Sequence, residues 1–404
     1  MLNIETKESK LLFSILSTVL FGAGGEPDFS SCDISELYEE SKKQSVSSII
    51  FKRLPSSLAA EQPQLYGDWL NRTMFLISRN SQIVHAHAKL GELLSSAGIP
   101  YCILKGVVSA AFYPVPADRD MGDVDFLVHP DNVKAACELL EKDGYVKVED
   151  ADEHDFHIGY KKGRISYELH YSFTESDDEA FNERFTSELL ENTAPLELSG
   201  AGSVCAVTDE YHCIIMLLHM KRHMTSSGMG LRHLCDWAVF VNNFSSEDFV
   251  ARFKPLIDEN GLWRFAQVLS QSCEKFLGIA HKEWFGEVED ELCANLTEYI
   301  FSTGNFGSKG VNFSDLFIKN TGDMSSDASR QVMTSIKKIV ISHWPSAEKN
   351  PLVMAVGMVF FPMRYLFRSL IGKRKKVNIA KVIKSGNTAN ETFKQLDLYR
   401  DEKE

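Results

Sequence analysis

"MGDVDFLVHP", residues 121–130, sets two aspartates, Asp123 and Asp125, on either side of one valine at the mouth of an apolar run. Side chains alternate along a strand, so an Asp-x-Asp pair sends both carboxylates to one face. Like charges held that close raise each other's pKa, and a divalent cation relieves the conflict. Mg²⁺ takes hard oxygen ligands, often one or two carboxylates together with substrate phosphates. Two such ions can clamp the attacking and leaving oxygens of a phosphoryl displacement. Acidic pairs also end strands for no chemical reason, so the surroundings decide.

Upstream, "YCILKG" (101–106) is a short apolar run ending in Lys105-Gly106, and "VVSAAFYP" (107–114) has the look of a helix that starts directly after it. Free backbone N–H groups at such a helix start favour phosphate. Gly106 permits close backbone approach, and Lys105 would meet a phosphate as a point charge. The loop "VPADRDMG" (115–122) carries Arg119. This side chain either neutralises phosphate charge or is a solvated loop arginine pairing with Asp118 or Asp120. The strand at 124–130 follows, stopped by Pro130, then a helix over 132–145 with Gly144 as its C-cap. "HDFHIGYKKGRISYELHYSF" (154–173) alternates around Gly163 and predicts a β-hairpin. On its second strand, Glu168 would supply a third carboxylate if that strand neighbours the first. His170, two residues on, faces the same side and is read as a phosphate ligand, an orienter of Glu168, a general base or a structural histidine. His154 and His157 are read as strand surface. The order of elements predicts a compact α/β unit with a small sheet.

Taken together, "ILKG…YP…DRDMGDVDFLV…YELHYSF" resembles the polymerase-beta-like nucleotidyltransferase superfamily, and within it a large bacterial family of uncharacterised nucleotidyltransferases. The resemblance is close over 101–173 and looser over 80–380, where "LLHMKRHM", "GLRHLCDW" and "SHWPS…FFPMRYLFR" carry it. Gly106 matches the turn, Asp123 and Asp125 the acid pair, and Glu168 the third acid. Val107 stands where the superfamily has a second small residue. The resemblance implies an α+β fold, a small mixed-sheet nucleotidyltransferase core flanked by N-terminal and C-terminal helical regions. It implies Asp123, Asp125 and Glu168 as catalytic and metal-holding residues for Mg²⁺ or Mn²⁺, with an NTP as substrate. Lys105, Gly106, Arg119, His170 and Lys221 are the expected nucleotide-binding residues. Members often hold base and sugar with the helical domain after the sheet, which adds Arg232 and Asp236.

The flanks are helical by period. The boundaries expected are an N-terminal helical region at 1–95, the core at 96–200, a helical domain at 201–345, and a C-terminal helix with a basic and polar tail at 346–404. The apolar patch near the N-terminus is read as a first helix rather than a signal peptide. His219 and His223 stand at i, i+4 and suit zinc, but no acid or cysteine follows at useful spacing, so packing or nucleotide contact is preferred. Arg232 and Asp236, also i, i+4, suggest a helix salt bridge. The uncharged run Pro351–Met363 is too short to span a bilayer, which takes about 20 apolar residues. The segment 351–376 is read as a packed helix with a solvated basic end at Lys373–Lys376, or alternatively as a peripheral anchor on anionic lipid.

Composition narrows the partners. The chain has 404 residues, 44% hydrophobic and 25% charged, with a formal net charge of -13. That balance argues against a broad grip on nucleic acid. Eight scattered cysteines form no Cys-x-x-Cys pair, which fits a reducing cytoplasm. The expectation is a Mg-dependent enzyme moving a nucleotidyl group to a hydroxyl or phosphate of a small molecule, sugar or peptide or protein acceptor. The alternative is a non-catalytic nucleotide-binding or protein-interaction module on the same fold. A helical scaffold with an incidental α/β insert is the third reading.

Overall fold

The structure is a computed structural model. It describes residues 3–148, 157–173, 179–225, 228–305, 308–309, 336–337, 340–341, 344–348, 350–370, 389 and 391–398.

The N-terminal helices form where apolar residues recur every three or four positions. Helix α1 (Lys7–Phe21) is capped by the Thr6 hydroxyl, which accepts from the Ser9 N–H, and it buries Leu12, Ile15 and Leu16. Helices α2 (Ile34–Lys43), α3 (Ser47–Phe51) and α4 (Leu58–Glu61) follow. Helix α5 (Pro63–Ser96) has 34 residues and is therefore about 50 Å long. Its first half buries Trp69 among the N-terminal helices, and its second half lays Ile83, Leu90 and Leu94 against the sheet.

The sheet is mixed and seven-stranded, with the order β3-β4-β5-β2-β1-β7-β6. Its strands are β1 (Tyr101–Ile103), β2 (Val124–Val128), β3 (Val146–Lys147), β4 (His157–Lys162), β5 (Ile165–His170), β6 (Thr193–Leu198) and β7 (Gly202–Val207). β1 and β2 are antiparallel, so the end of β1 meets the start of β2. β2 and β5 are parallel, with Asp125 opposite Glu168. One face of the sheet, with Val124, Phe126, Tyr167 and Leu169, packs on α5 and on α7 (Val133–Lys142). On β2, Leu127 turns the other way, into the core that holds α8 (Glu179–Glu191) and α9 (Asp209–Thr225). Asp125 shares that side by alternation. The site thus lies between the sheet and a helical layer. That layer continues through α10 (Leu231–Asn242), α11 (Ser246–Arg252), α12 (Lys254–Glu259), α13 (Trp263–Leu277) and α14 (Asp290–Thr303).

Three differences from the sequence reading have physical causes. The helix expected over 107–114 is only α6 (Val107–Ala110), one turn before the chain bends toward Pro114 and Pro116. Strand β6 of the hairpin β6–β7 carries little strand pattern, because it is an edge strand with Pro195 and half of its side chains exposed. β7 then returns parallel to β1, so the sheet continues past residue 200. The C-terminal helix Pro351–Leu370 exposes Leu352, Val356, Val359 and Met363. No described helix is long and apolar enough to cross a membrane. Lys373–Lys376 and His154 lie outside the described residues.

Candidate active site

Strand pairing builds the site. The Leu104 N–H donates to the Asp125 carbonyl at 3.2 Å, which sets Lys105 beside the start of β2. The Lys105 ammonium lies 3.1 Å from Asp125 Oδ1. Because Asp125 and Glu168 are registered across parallel strands, their side chains rise on the same face. His170 follows on that face, its Nε2 3.2 Å from Asp125 Oδ1 and 3.5 Å from Glu168 Oε2. Asp123, one residue before β2, stands half-buried at the rim.

Charge in this cluster is unbalanced. Asp125 is the main reason the Asp123 carboxyl is pushed up to about 6, with burial and Glu168 adding to it. Burial also opposes ionisation of Asp125, but Lys105 and His170 outweigh it and hold that carboxyl well below the ordinary range. Lys105 is pushed down by burial and up, by more, through Asp125, Asp123 and Glu168. The same contest raises His170, where the hydrogen bonds to Asp125 and Glu168 prevail over burial. Three carboxylates therefore share Lys105 and one imidazole, with Arg232 adding a weaker pull on Asp123. Ligand atoms of Asp125, Glu168 and His170 lie within 4.8 Å of one another. Carboxylates crowded enough to push the Asp123 carboxyl up to about 6 fit a hard divalent cation.

Gly106 takes φ 67°, ψ −98°, near the γ-turn region that side chains rarely enter. A Cβ there would meet nothing closer than 3.8 Å, so backbone conformation rather than crowding requires glycine. The turn leaves the backbone of 106–108 beside Lys105.

A family model of uncharacterised nucleotidyltransferases matches residues 30–278, more than half of the chain. The chain belongs to this nucleotidyltransferase family. No curated protein gives a significant sequence match. Among solved structures, an antigenic nucleotidyltransferase-like protein from Paracoccidioides brasiliensis is similar at 16% identity and a TM-score of 0.32, over 50% of this chain and 95% of that one.

Other residues of this nucleotidyltransferase family member sit differently from the sequence reading. Arg119 is neither solvated nor paired with Asp118 or Asp120. It is buried, and its Nε and Nη2 donate to Asp236 Oδ1 and Oδ2 at 2.7 and 2.8 Å. The Tyr113 hydroxyl donates to Oδ1 as well, at 2.7 Å. Asp236 thus gives both oxygens to Arg119 instead of forming the expected helix pair with Arg232. The loop around Arg119 is fastened elsewhere too. Asn80 Nδ2 donates to the Ala117 and Arg119 carbonyls, the Ser48 hydroxyl bonds Asp120, and Lys52 pairs with Asp118. Arg232 donates to the Asp120 carbonyl at 3.2 Å and lies near enough to favour the charged form of Asp123. Lys221 is half-buried on α9. His157, read as strand surface, is half-buried and packs its ring 5.3 Å from that of His170.

Two features escaped the sequence reading. His87 on α5 is buried behind the turn, its ring within 4 Å of where a Gly106 Cβ would stand. It lies on the helix period and has no local mark. His233 on α10 meets His219 and His223, and its partners come from another helix.

Proposed function

We propose that this protein transfers a nucleotidyl group from an NTP to an acceptor and releases pyrophosphate, as a member of the polymerase-beta-like superfamily. The observation that carries this reading is the register of Asp125 with Glu168 on adjacent parallel strands, with Lys105 at the same sheet end. Asp123, Asp125 and Glu168 would hold Mg²⁺ or Mn²⁺, which supplies charge neutralisation at the triphosphate and polarises the attacked phosphorus. Lys105 binds phosphate as a point charge, in exchange for its contact with Asp125. The turn at Gly106 brings backbone N–H groups to the phosphate oxygens. Glu168 keeps a third of its side chain exposed, more than Asp125 or His170, and takes the proton of the attacking hydroxyl. His170 fixes both Asp125 and Glu168 in place. Arg232, near Asp123, offsets phosphate charge, whereas Arg119 anchors the loop through Asp236.

The net charge of -13 favours a compact acceptor over long nucleic acid: a small molecule, a sugar or a peptide or protein side chain. A binding module would have no use for three crowded carboxylates, which supports the enzyme over the non-catalytic alternative. The test incubates purified protein with Mg²⁺, each α-phosphate-labelled NTP and cell extract. Label transfer that disappears in Asp123→Ala/Asp125→Ala supports the reading. Nucleotide binding without transfer, indifferent to those substitutions, overturns it.

A further inference from the structure

Three imidazoles converge in the helical layer beside Lys105. His219 and His223 stand one turn apart on α9, so they share a face. Their Nε2 atoms are 3.0 Å apart. His233 enters from the first turn of α10, with its ring centroid 5.9 Å from His219 and 5.3 Å from His223. One ligand nitrogen from each lies within 4.8 Å of the others. The approach of α10 is dictated by glycine: a Cβ on Gly230 would meet the Asn305 backbone N at 2.7 Å, and one on Gly228 the Thr303 Cβ at 2.8 Å. Gly228 and Gly230 are thus packed too tightly to carry side chains, and His233 is held facing α9.

We propose that His219, His223 and His233 form a binding site for a divalent transition-metal ion of the zinc class, separate from the carboxylate site and adjacent to it. Zinc–nitrogen bonds in tetrahedral array place ligand nitrogens about 3.3 Å apart, close to the spacing of the α9 pair. The donor set selects the ion. Three imidazoles without a carboxylate suit Zn²⁺, Co²⁺, Ni²⁺ or Cu²⁺, and not the hard Mg²⁺ of the acid cluster. Burial also keeps all three rings in the neutral form that binds metal; for His219 and His223, Lys105 is the next contributor, and for His233 it is Arg232. Of the positive groups nearby, Lys105 pairs with Asp125, while burial and Arg119 disfavour the charged form of Arg232 more than Asp236 and Asp120 favour it. Three protein ligands leave a fourth position for water or an oxygen of a molecule bound near Lys105.

The experiment strips the full chain of metal with chelator and titrates it with Co²⁺ in the absence of Mg²⁺. One equivalent should bind with the intense visible absorption of tetrahedral Co²⁺, and Zn²⁺ should displace it. The absorption should vanish in His233→Ala and in His219→Ala/His223→Ala, and persist in Asp123→Ala/Asp125→Ala. That last variant separates this site from the nucleotidyl-transfer reading, which it disables. Circular dichroism checks that the histidine variants fold. If one does not, X-ray absorption on the wild-type Co²⁺ form decides, with three imidazole ligands expected. Failure of the wild-type chain to bind Co²⁺, oxygen-only coordination, or a spectrum lost with the aspartates and kept without the histidines would overturn the proposal.

Discussion

Two buried charge clusters sit on one short stretch of chain, and they are built on opposite terms. Around Arg119, the guanidinium meets one carboxylate edge to edge, and Tyr113 adds a further donor. Charge there is matched, and every oxygen of Asp236 has a partner. Around Asp125, three carboxylates face Lys105 and an imidazole, and Asp123 is driven up to about 6. Charge there is in surplus. A matched buried pair fixes a loop; a surplus is a cost to the fold that a ligand of opposite charge relieves. Burial of charge therefore does not distinguish the two clusters, whereas the balance of charge does.

The two clusters should diverge most under substitution. Asp125→Asn should reduce nucleotidyl transfer by about three orders of magnitude or more, since it removes charge stabilisation felt in the transition state. Its thermal midpoint should move less than that of the Arg119 variants, and a melt beside the label assay checks both. In the matched cluster the balance reverses. Arg119→Met or Asp236→Leu alone should cost about 3–5 kcal/mol of stability by stranding a buried charge, and the double variant should regain most of it in denaturant titration. An Arg119→Met protein of unchanged stability but raised KM for NTP would move Arg119 to the phosphates.

A titration sharpens the contrast further. In the metal-free protein, Asp123 should take up a proton near pH 6, read by carboxyl NMR, and Asp125→Asn should bring that value down. A carboxyl with a raised folded pKa stabilises the fold below its unfolded value, and this contribution is lost as pH climbs from about 4 to about 6. His87 and His212 act in the other direction. Burial is the main cause that lowers each ring to about 4, so the unfolded chain gains protons first and stability is lost as pH falls from about 6.5 to about 4. Asp125→Asn should weaken the first trend, since burial and Glu168 still act on Asp123, and leave the second, visible as a thermal midpoint that climbs more steeply with pH across that window than in the unsubstituted protein. The smallest effect is expected at Gly106→Ala, about 1–2 kcal/mol of backbone strain without a clash, together with a raised KM for NTP.

What was legible in the sequence follows from range. Asp123 and Asp125 share a side because strands alternate, and Glu168 could be set beside them because a hairpin leads directly into the site. Lys105 and Gly106 announced a strand end. The partner of Arg119 was not legible, since Asp236 lies 117 residues away and the loop composition suggested solvent. Asp118, Arg119 and Asp120 are all buried, against that suggestion. His219 and His223 were visible as a helical pair, but the third imidazole arrives from the next helix. Strand β6 escaped because it is an edge strand with a proline and half of its side chains exposed; β7 is an inner strand with Val204, Ala206 and Val207 buried, but its short run after Gly202 gives no register with β1, which lies about 100 residues away.

On the proposed function, the crowded carboxylates hold divalent cations against a triphosphate seated at Lys105 and Gly106. Crystals of the protein with Mn²⁺ and a non-hydrolysable NTP analogue test it through the anomalous signal of manganese. Mn²⁺ should be coordinated by Asp123, Asp125 and Glu168, with the triphosphate against Lys105 and the 106–108 backbone. Nucleotide bound elsewhere, with no manganese at the three acids and Lys105 still closed on Asp125, would contradict it.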